Sequence, residues 1–302
     1  MAGERRIVTA ALEAPAGPPQ TAAVASGTNE TAGARRIADA FERATADGRI
    51  ALVPYIVAGY PDAKTSRTIA LAAIDAGADL LEVGLPYSDP LADGATLQRA
   101  SQIALAAGAS LDRSLTLIEW IARQRSATPV VPMGYANQFL GGGDGRAAAA
   151  RLEAAGAAGV IVPDLTPDEG GPFEAVARAH GLAVVYLVAP TTPPDRRAAV
   201  AARSGGFLYC VSLVGVTGAR DALPPTVSRL VRDVTAVSPV PVAVGFGVSK
   251  PTHVRAIAAA GASGVVVASA LVDALGEDGR HLDAMTDLVR ALRKATGRPR
   301  RD

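Results

Sequence analysis

The sequence predicts an α/β fold, a single (β/α)₈ TIM barrel in which eight buried parallel strands alternate with helices. After residue 50, short apolar stretches alternate with amphipathic stretches rich in Ala, Leu and Arg. Near-continuously apolar strands are typical of parallel sheets that are covered on both faces. The chain has 302 residues, 49% of them hydrophobic, which suits one such barrel. An open doubly wound sheet is the alternative, but no G-x-G-x-x-G turn follows the first strand.

A pattern that occurs three times supports the barrel. Residues 75–84, 154–163 and 259–268 each contain Ala-Gly-Ala followed by a short apolar stretch. In each copy a helix ends at the glycine and a buried strand follows. Repeated helix–strand units of this kind indicate a barrel.

The elements follow one another without a break from the first helix onward. Residues 1–33 are rich in Ala, Gly, Pro, Thr and Ser without periodicity, so we predict a disordered N-terminal extension. The barrel domain then covers residues 34–298 and opens on an additional N-terminal helix, in which Ile37 and Phe41 have helical spacing. The predicted strands cover residues 51–57, 79–84, 129–134, 159–163, 183–188, 206–211, 241–245 and 264–268.

Composition restricts the possible partners. The net charge of +1 gives no electrostatic reason to expect a nucleic acid or an acidic membrane surface, and no apolar run approaches the length of a membrane span. Cys210 is the single cysteine, so no disulfide forms within the chain, as suits the cytoplasm. The three histidines lack ligand spacing, and we expect no metal site.

Residues 80–94 contain the strongest candidates for chemistry. Glu82 interrupts an apolar strand, where a lone carboxylate is costly unless it is paired or used. Asp93 reaches the same rim from a loop that Pro86 and Pro90 stiffen. Two acids in unlike environments are suited to general acid–base catalysis. Alternatively, Asp89 and Asp93 cap the next helix, which we place near residue 96.

Glycines after the later strands indicate a phosphate site. Gly215, Gly218, Gly245 and Gly247 lie in these loops, and Ser269 begins the helix that follows the last strand. Backbone amides and a helix N-terminus bind phosphate on this side of such barrels. Three adjacent loops of this kind favour a phosphorylated substrate.

The lysines restrict the reaction. The chain has only Lys64, Lys250 and Lys294, none within a predicted strand, which argues against a lysine Schiff base. Without a metal site either, carbon–carbon cleavage requires a substrate that is its own electron sink. Indole meets this requirement, although composition alone does not point to it.

Residues 82–94, Glu-Val-Gly-Leu-Pro-Tyr-Ser-Asp-Pro-Leu-Ala-Asp-Gly, resemble the signature of the α subunit of tryptophan synthase. The resemblance extends from about Phe41 to Leu275. It includes residues 53–55, 134–137, 162–165, 215–220 and 245–247. Tyr55 and Tyr87 stand where the family usually has Phe, and their hydroxyls need partners.

The resemblance implies cleavage of indole-3-glycerol phosphate to indole and glyceraldehyde 3-phosphate by retro-aldol chemistry. Glu82 would be the acid–base group at C3 and at the glycerol hydroxyl, and Asp93 would accept the indole N–H proton. Thr217 would lie on a loop that closes over the substrate and touches Asp93. The implied substrate-lining residues are Tyr55, Met133, Tyr135, Ile161 and Tyr209. The implied phosphate-binding residues are Gly218, Gly247, Ala268 and Ser269.

The family also implies a partner. Its α subunit docks on a β subunit that carries pyridoxal phosphate, in an α2β2 heterotetramer, and we expect no cofactor in this chain itself. Asp89, Pro90 and Asp164 would form the interface. Three alternatives stay open: a stand-alone lyase that releases indole, a mainly allosteric subunit, and another phosphosugar enzyme such as an isomerase or epimerase. Tyr135 could also serve only to brace the rim.

Overall fold

A computed structural model describes residues 30–141, 143–211, 225–245 and 247–298, which form a barrel of parallel strands surrounded by helices. The strands are β1 Ala51–Val57, β2 Leu81–Gly84, β3 Val130–Met133, β4 Gly159–Ile161, β5 Ala183–Val185, β6 Leu187–Val188, β7 Leu208–Val211, β8 Val242–Gly245 and β9 Gly264–Val267. Their order in the sheet is β5-β4-β3-β2-β1-β9-β8-β7-β6. The two edge strands, β5 and β6, are consecutive in the chain, so the sheet closes on itself and the predicted (β/α)₈ barrel is confirmed.

The predicted fifth strand is split in two at Tyr186, so the described residues form nine strands where the sequence predicts eight. The backbone N–H of Tyr186 donates to Ser204 Oγ at 3.0 Å, so it does not continue the ladder with β4. The Tyr186 hydroxyl donates to the buried carboxylate of Glu174. A side-chain contact that sequence periodicity does not reveal therefore divides this strand.

Twelve helices of the described residues surround the strands. They are α1 Ala32–Ala46, α2 Ala63–Asp75, α3 Ala95–Ala106, α4 Leu111–Gln124, α5 Ala136–Leu140, α6 Arg146–Ala154, α7 Pro167–Ala179, α8 Pro194–Arg203, α9 Pro225–Val237, α10 Pro251–Ala259, α11 Ser269–Ala274 and α12 Leu282–Lys294.

The additional helix α1 covers the N-terminal mouth of the barrel. Phe41 packs on Phe207, with ring centroids 5.6 Å apart, and a Cβ added to Gly206 would fall 2.9 Å from Ile37. The Thr31 side chain caps this helix by accepting from the backbone N–H of Ala34 at 3.0 Å. Helix α1 thus begins at Ala32, two residues before the position at which the barrel domain is predicted to start. Residues 1–29 lie outside the described part of the chain.

A buried ion pair fixes the first two strands at this same end. Arg49 precedes β1 and Asp79 precedes β2, and two guanidinium nitrogens contact the two carboxylate oxygens at 2.6 and 2.8 Å. Asp79 also accepts from the backbone N–H of Leu52 at 2.8 Å. Only 9% of the Arg49 side chain and 11% of the Asp79 side chain are exposed. The pair therefore stabilises the alignment of β1 with β2 from which the site is built.

Replacing Asp79 with Ala should lower the free energy of unfolding by roughly 3 kcal/mol, because buried Arg49 loses its buried two-point partner and keeps only the exposed carboxylate of Asp47 at 2.9 Å. Urea denaturation followed by circular dichroism measures the loss. Asp75→Ala is the matched control, since Asp75 pairs with Arg125 at 2.8 Å in an exposed position and should cost no more than about 1 kcal/mol. Equal losses in the two variants would contradict the role given to the buried pair.

Candidate active site

Glu82 lies inside the barrel, fully buried on β2. Neither of its carboxyl oxygens has a hydrogen-bond partner among the described residues. Burial, with a smaller contribution from the charge of Asp93, raises the pKa of Glu82 to about 8. At neutral pH this carboxyl group is therefore protonated and able to donate a proton.

Asp93 stands at the end of the loop that connects β2 with α3. Burial raises the pKa of its carboxyl group to about 6, while a hydrogen bond from the Tyr135 side chain acts in the opposite direction. Asp93 is therefore mostly ionised at neutral pH and able to accept a proton. The two acids are in opposite protonation states, which is the arrangement that acid–base catalysis requires.

Capping does not account for either aspartate of this loop. The N-cap of α3 is Gly94, and no side chain bonds to the helix terminus there. The Asp89 carboxylate instead accepts from the Ser88 hydroxyl at 2.6 Å. The alternative in which Asp89 and Asp93 cap the next helix is thus wrong for both.

The strand register brings the other candidate residues to the same interior. Tyr55 of β1 is the register partner of Glu82. Two residues further along β2, Gly84 is aligned with Met133 of β3, and Met133 with Ile161 of β4. Because side chains alternate along a strand, these positions all face the lumen. Met133 and Ile161 are buried and give the site an apolar wall beside the acids.

Two tyrosines fill the lumen next to the acids, and each lies against a glycine. A Cβ added to Gly84 would fall 1.8 Å from the Tyr55 hydroxyl, and one added to Gly245 would fall 2.3 Å from the Tyr209 hydroxyl. Burial and the charges of both acids raise the pKa of each tyrosine well above its usual value. Both hydroxyls therefore stay protonated close to the acid pair.

The hydroxyl of Tyr87 has a partner on α5. It accepts from Asn137 Nδ2 at 3.2 Å, and the Tyr87 ring stacks on that of Tyr135 with centroids 5.3 Å apart. Tyr135 in turn accepts the backbone N–H of Ala92 at 2.9 Å. Sequence analysis gave Tyr135 as a lining or bracing residue, and no local pattern indicated its contact with the loop that carries Asp93.

The candidate phosphate-binding residues lie at two neighbouring strand ends. Gly247 follows β8 with a φ of +74°, a conformation that favours glycine. Ala268 and Ser269 form the junction of β9 with α11, and β8 pairs with β9. Gly218 and Thr217 lie outside the described residues.

The residues predicted to meet a partner differ in exposure. Asp89 and Asp164 are exposed, whereas Pro90 is buried. Asp164 accepts from the backbone N–H of Ala136 at 2.9 Å, at the start of α5. Beside Pro90, Leu91 is 90% exposed. Sequence analysis missed this residue, because a single apolar position in a loop gives no periodic signal.

Neither a membrane-spanning helix nor a cluster of metal ligands occurs in the described residues. No helix there is both long and apolar enough to cross a membrane. Within the same ranges, no group of three or more His, Cys, Asp or Glu residues is placed to hold a metal ion.

Comparison with known proteins gives one family. Residues 41–297 match the family model of the tryptophan synthase alpha chain. A tryptophan synthase alpha chain from Roseiflexus castenholzii is 46% identical over 264 residues, which are 85% of this chain and 99% of that protein. One from Chloroflexus aurantiacus is 42% identical over 268 residues, 87% of this chain and 99% of that protein. A chain of Mycobacterium tuberculosis tryptophan synthase has a TM-score of 0.79 at 40% identity, covering 87% of this chain and 98% of that chain.

The raised pKa of Glu82 has a consequence for stability. The folded state favours the neutral form of the Glu82 carboxyl group. This group therefore does not reduce the free energy of unfolding below pH 4.5, and it reduces it progressively as the pH rises towards about 8. Glu82→Gln removes this loss and should raise the free energy of unfolding at pH 7 by roughly 3 kcal/mol. Urea denaturation at several pH values measures the difference from the native chain, which should vanish near pH 4.

Glu42→Gln is the control for this experiment, because Glu42 is exposed on α1. Its unfolding free energy should follow that of the native chain at every pH. A Glu82→Gln variant whose advantage did not grow with pH would show that Glu82 titrates like an ordinary surface carboxyl group.

Proposed function

The chain belongs to the tryptophan synthase alpha chain family, and from this premise we propose that it cleaves indole-3-glycerol phosphate to indole and glyceraldehyde 3-phosphate by a retro-aldol reaction. Membership makes it a lyase-type enzyme that serves as an alpha subunit in tryptophan biosynthesis. One observation carries the proposed reaction: two acids meet at one apolar lumen, where Glu82 is fully buried without a hydrogen-bond partner among the described residues and the charge of nearby Asp93 raises its pKa further. This acid pair also argues against a purely allosteric subunit.

The reaction needs one proton donor and one acceptor at the indole ring. The Glu82 carboxyl group protonates C3, and the Asp93 carboxylate takes the proton from N1, which leaves a C=N bond in the ring. Glu82, now ionised, accepts the proton of the hydroxyl on the carbon attached to C3. The carbon–carbon bond breaks and the aldehyde forms. The electron pair of the broken bond moves through the ring to N1, which recovers its proton from Asp93. Both residues end in their starting states.

The other candidate residues bind and orient the substrate. Met133 and Ile161 provide a buried apolar wall for the flat indole ring, with Tyr55 and Tyr209 beside the acids. The phosphate group is held by the backbone amides of Gly247 and Ala268 and by Ser269; the roles that the resemblance gives to Gly218 and Thr217 fall on residues outside the described ranges. The adjacency of the β8 and β9 ends supports this assignment.

The alpha chain is proposed to act with a β subunit in an α2β2 heterotetramer, docked through exposed Asp89 and Asp164, with Pro90 buried behind Asp89 in the same loop. Pyridoxal phosphate belongs to that partner, and this chain needs no cofactor for the acid–base steps. A cytoplasmic location suits the single cysteine, Cys210, which is buried.

The first test is indole release from indole-3-glycerol phosphate by the purified chain, with and without a tryptophan synthase β subunit. We expect slow release by the chain alone and a sharp rise on addition of the β subunit. Strong release that the partner does not change would indicate a stand-alone lyase. No release in either condition would overturn the proposed substrate.

Glu82→Gln and Asp93→Asn should each lower kcat by about 100-fold or more, since each removes one proton-transfer group while keeping the side-chain shape. Steady-state indole release with the β subunit present measures kcat, and circular dichroism checks the fold. Asp112→Asn, at an exposed position on α4, is the control and should keep native turnover. Near-native turnover in Glu82→Gln or Asp93→Asn would remove the role given to that residue.

A further inference from the structure

The loop that joins β8 to α10 carries Gly247 and is bonded at its far end by a histidine. His253 lies in the first turn of α10, and only 6% of it is exposed. Its Nδ1 accepts the backbone N–H of Ser249 at 3.3 Å. A ring nitrogen that accepts a hydrogen bond carries no proton, so this contact requires the neutral imidazole.

The contact resembles one half of a capping box. The N-cap of α10 is Lys250, whose side chain does not cap the helix, and His253 is the third residue after it. In a capping box the side chain at this third position, usually Glu or Gln, accepts the backbone N–H of the N-cap residue. His253 acts in the same way on the residue before the N-cap, Ser249. The path of the chain into α10 therefore depends on this side chain.

The part of the loop before Ser249 is anchored by β8 and by Val248, which is buried. Between these anchors Gly247 is exposed, with a φ of +74°. Among the described residues, the backbone N–H groups of Gly247 and Val248 have no acceptor, whereas that of Ser249 is taken by His253. The loop thus carries two open amides with a fixed point on either side.

We propose that His253 is a positioning residue for phosphate binding: by accepting the Ser249 N–H it holds the loop in the conformation in which the Gly247 amide is available to the phosphate group. This inference rests on the proposed function, in which Gly247 helps to bind that group. Backbone amides bind an anion well only when the fold holds them in place beforehand. Without the acceptor the loop gains freedom and binds phosphate less tightly, while proton transfer at Glu82 and Asp93 continues as before.

The test compares His253→Leu with His253→Gln in steady-state indole release by the complex with the β subunit. The leucine removes the acceptor but keeps a buried apolar side chain, and the glutamine supplies an acceptor of the type that capping boxes use. We expect KM to rise about five- to tenfold in His253→Leu, as the loss of one hydrogen bond implies. In His253→Gln it should stay within about twofold, and kcat should stay within about twofold in both.

A second readout does not depend on turnover. Titration of the isolated chain, followed by its amide NMR signals, measures the affinity for sn-glycerol 3-phosphate, which carries a phosphate group, and for indole, which does not. The Kd for glycerol 3-phosphate should rise with KM in His253→Leu and stay native in His253→Gln, whereas the Kd for indole should be native in both. Equal weakening of both ligands would show a general loss of structure and would overturn the proposal.

Thr252→Ala is the matched control, because Thr252 is exposed in the same turn of α10. Its KM and both affinities should be native. Circular dichroism checks the fold of each variant, and His253→Met, which also lacks a strong acceptor, replaces the leucine variant if that one does not fold.

The outcomes separate this role from the proposed reaction. An unchanged KM in His253→Leu, or an equal rise in the leucine and glutamine variants, would overturn the positioning role of His253. A native enzyme that binds glycerol 3-phosphate but releases no indole would instead overturn the proposed reaction, and the affinities would still decide the role of His253. Absence of glycerol 3-phosphate binding by the native chain would overturn the phosphate assignment and the role of His253 together.

Discussion

The burial of an unpaired carboxyl group inside a closed barrel is the constraint on which the site depends. Glu82 is fully buried, and its oxygens have no hydrogen-bond partner among the described residues. Such a group is tolerated only in its neutral form, because an isolated charge in an apolar interior is far more costly. The barrel thereby keeps a proton donor at a pH where exposed glutamates are ionised. The same burial lowers the stability of the fold at that pH.

The two ends of the barrel have different roles: contacts at the N-terminal end stabilise the fold, and the C-terminal end carries the residues proposed for the chemistry. At the N-terminal mouth, α1 and the Arg49–Asp79 pair hold the beginnings of the strands. Because β1 and β2 are aligned from that end, Tyr55 is brought level with Glu82 and Gly84 level with Met133. The C-terminal end can then carry an unfavourable buried acid, and it is the face at which the active sites of TIM barrels lie.

Sequence analysis predicted the parts of this structure that depend on local patterns. Apolar strands, glycine stops and the interrupting Glu82 are visible in a single stretch of chain, and the barrel they predict is the one observed. The division of the fifth strand at Tyr186 depends on Ser204, eighteen residues away. The contact of Tyr135 with Ala92 joins residues forty-three positions apart. Such long-range polar contacts leave no periodic trace, so the sequence located the two acids but not the contacts that hold the loop beside them.

The two acids differ in how their protonation is controlled, and this difference has a functional consequence. The pKa of Glu82 is set by burial on a strand, which changes only if the barrel opens. The pKa of Asp93 is raised by burial to about 6, at the end of a loop in which the neighbouring Ala92 donates to Tyr135 at 2.9 Å. In this arrangement the proton donor depends on the closed barrel itself, and the proton acceptor depends on a loop at its rim.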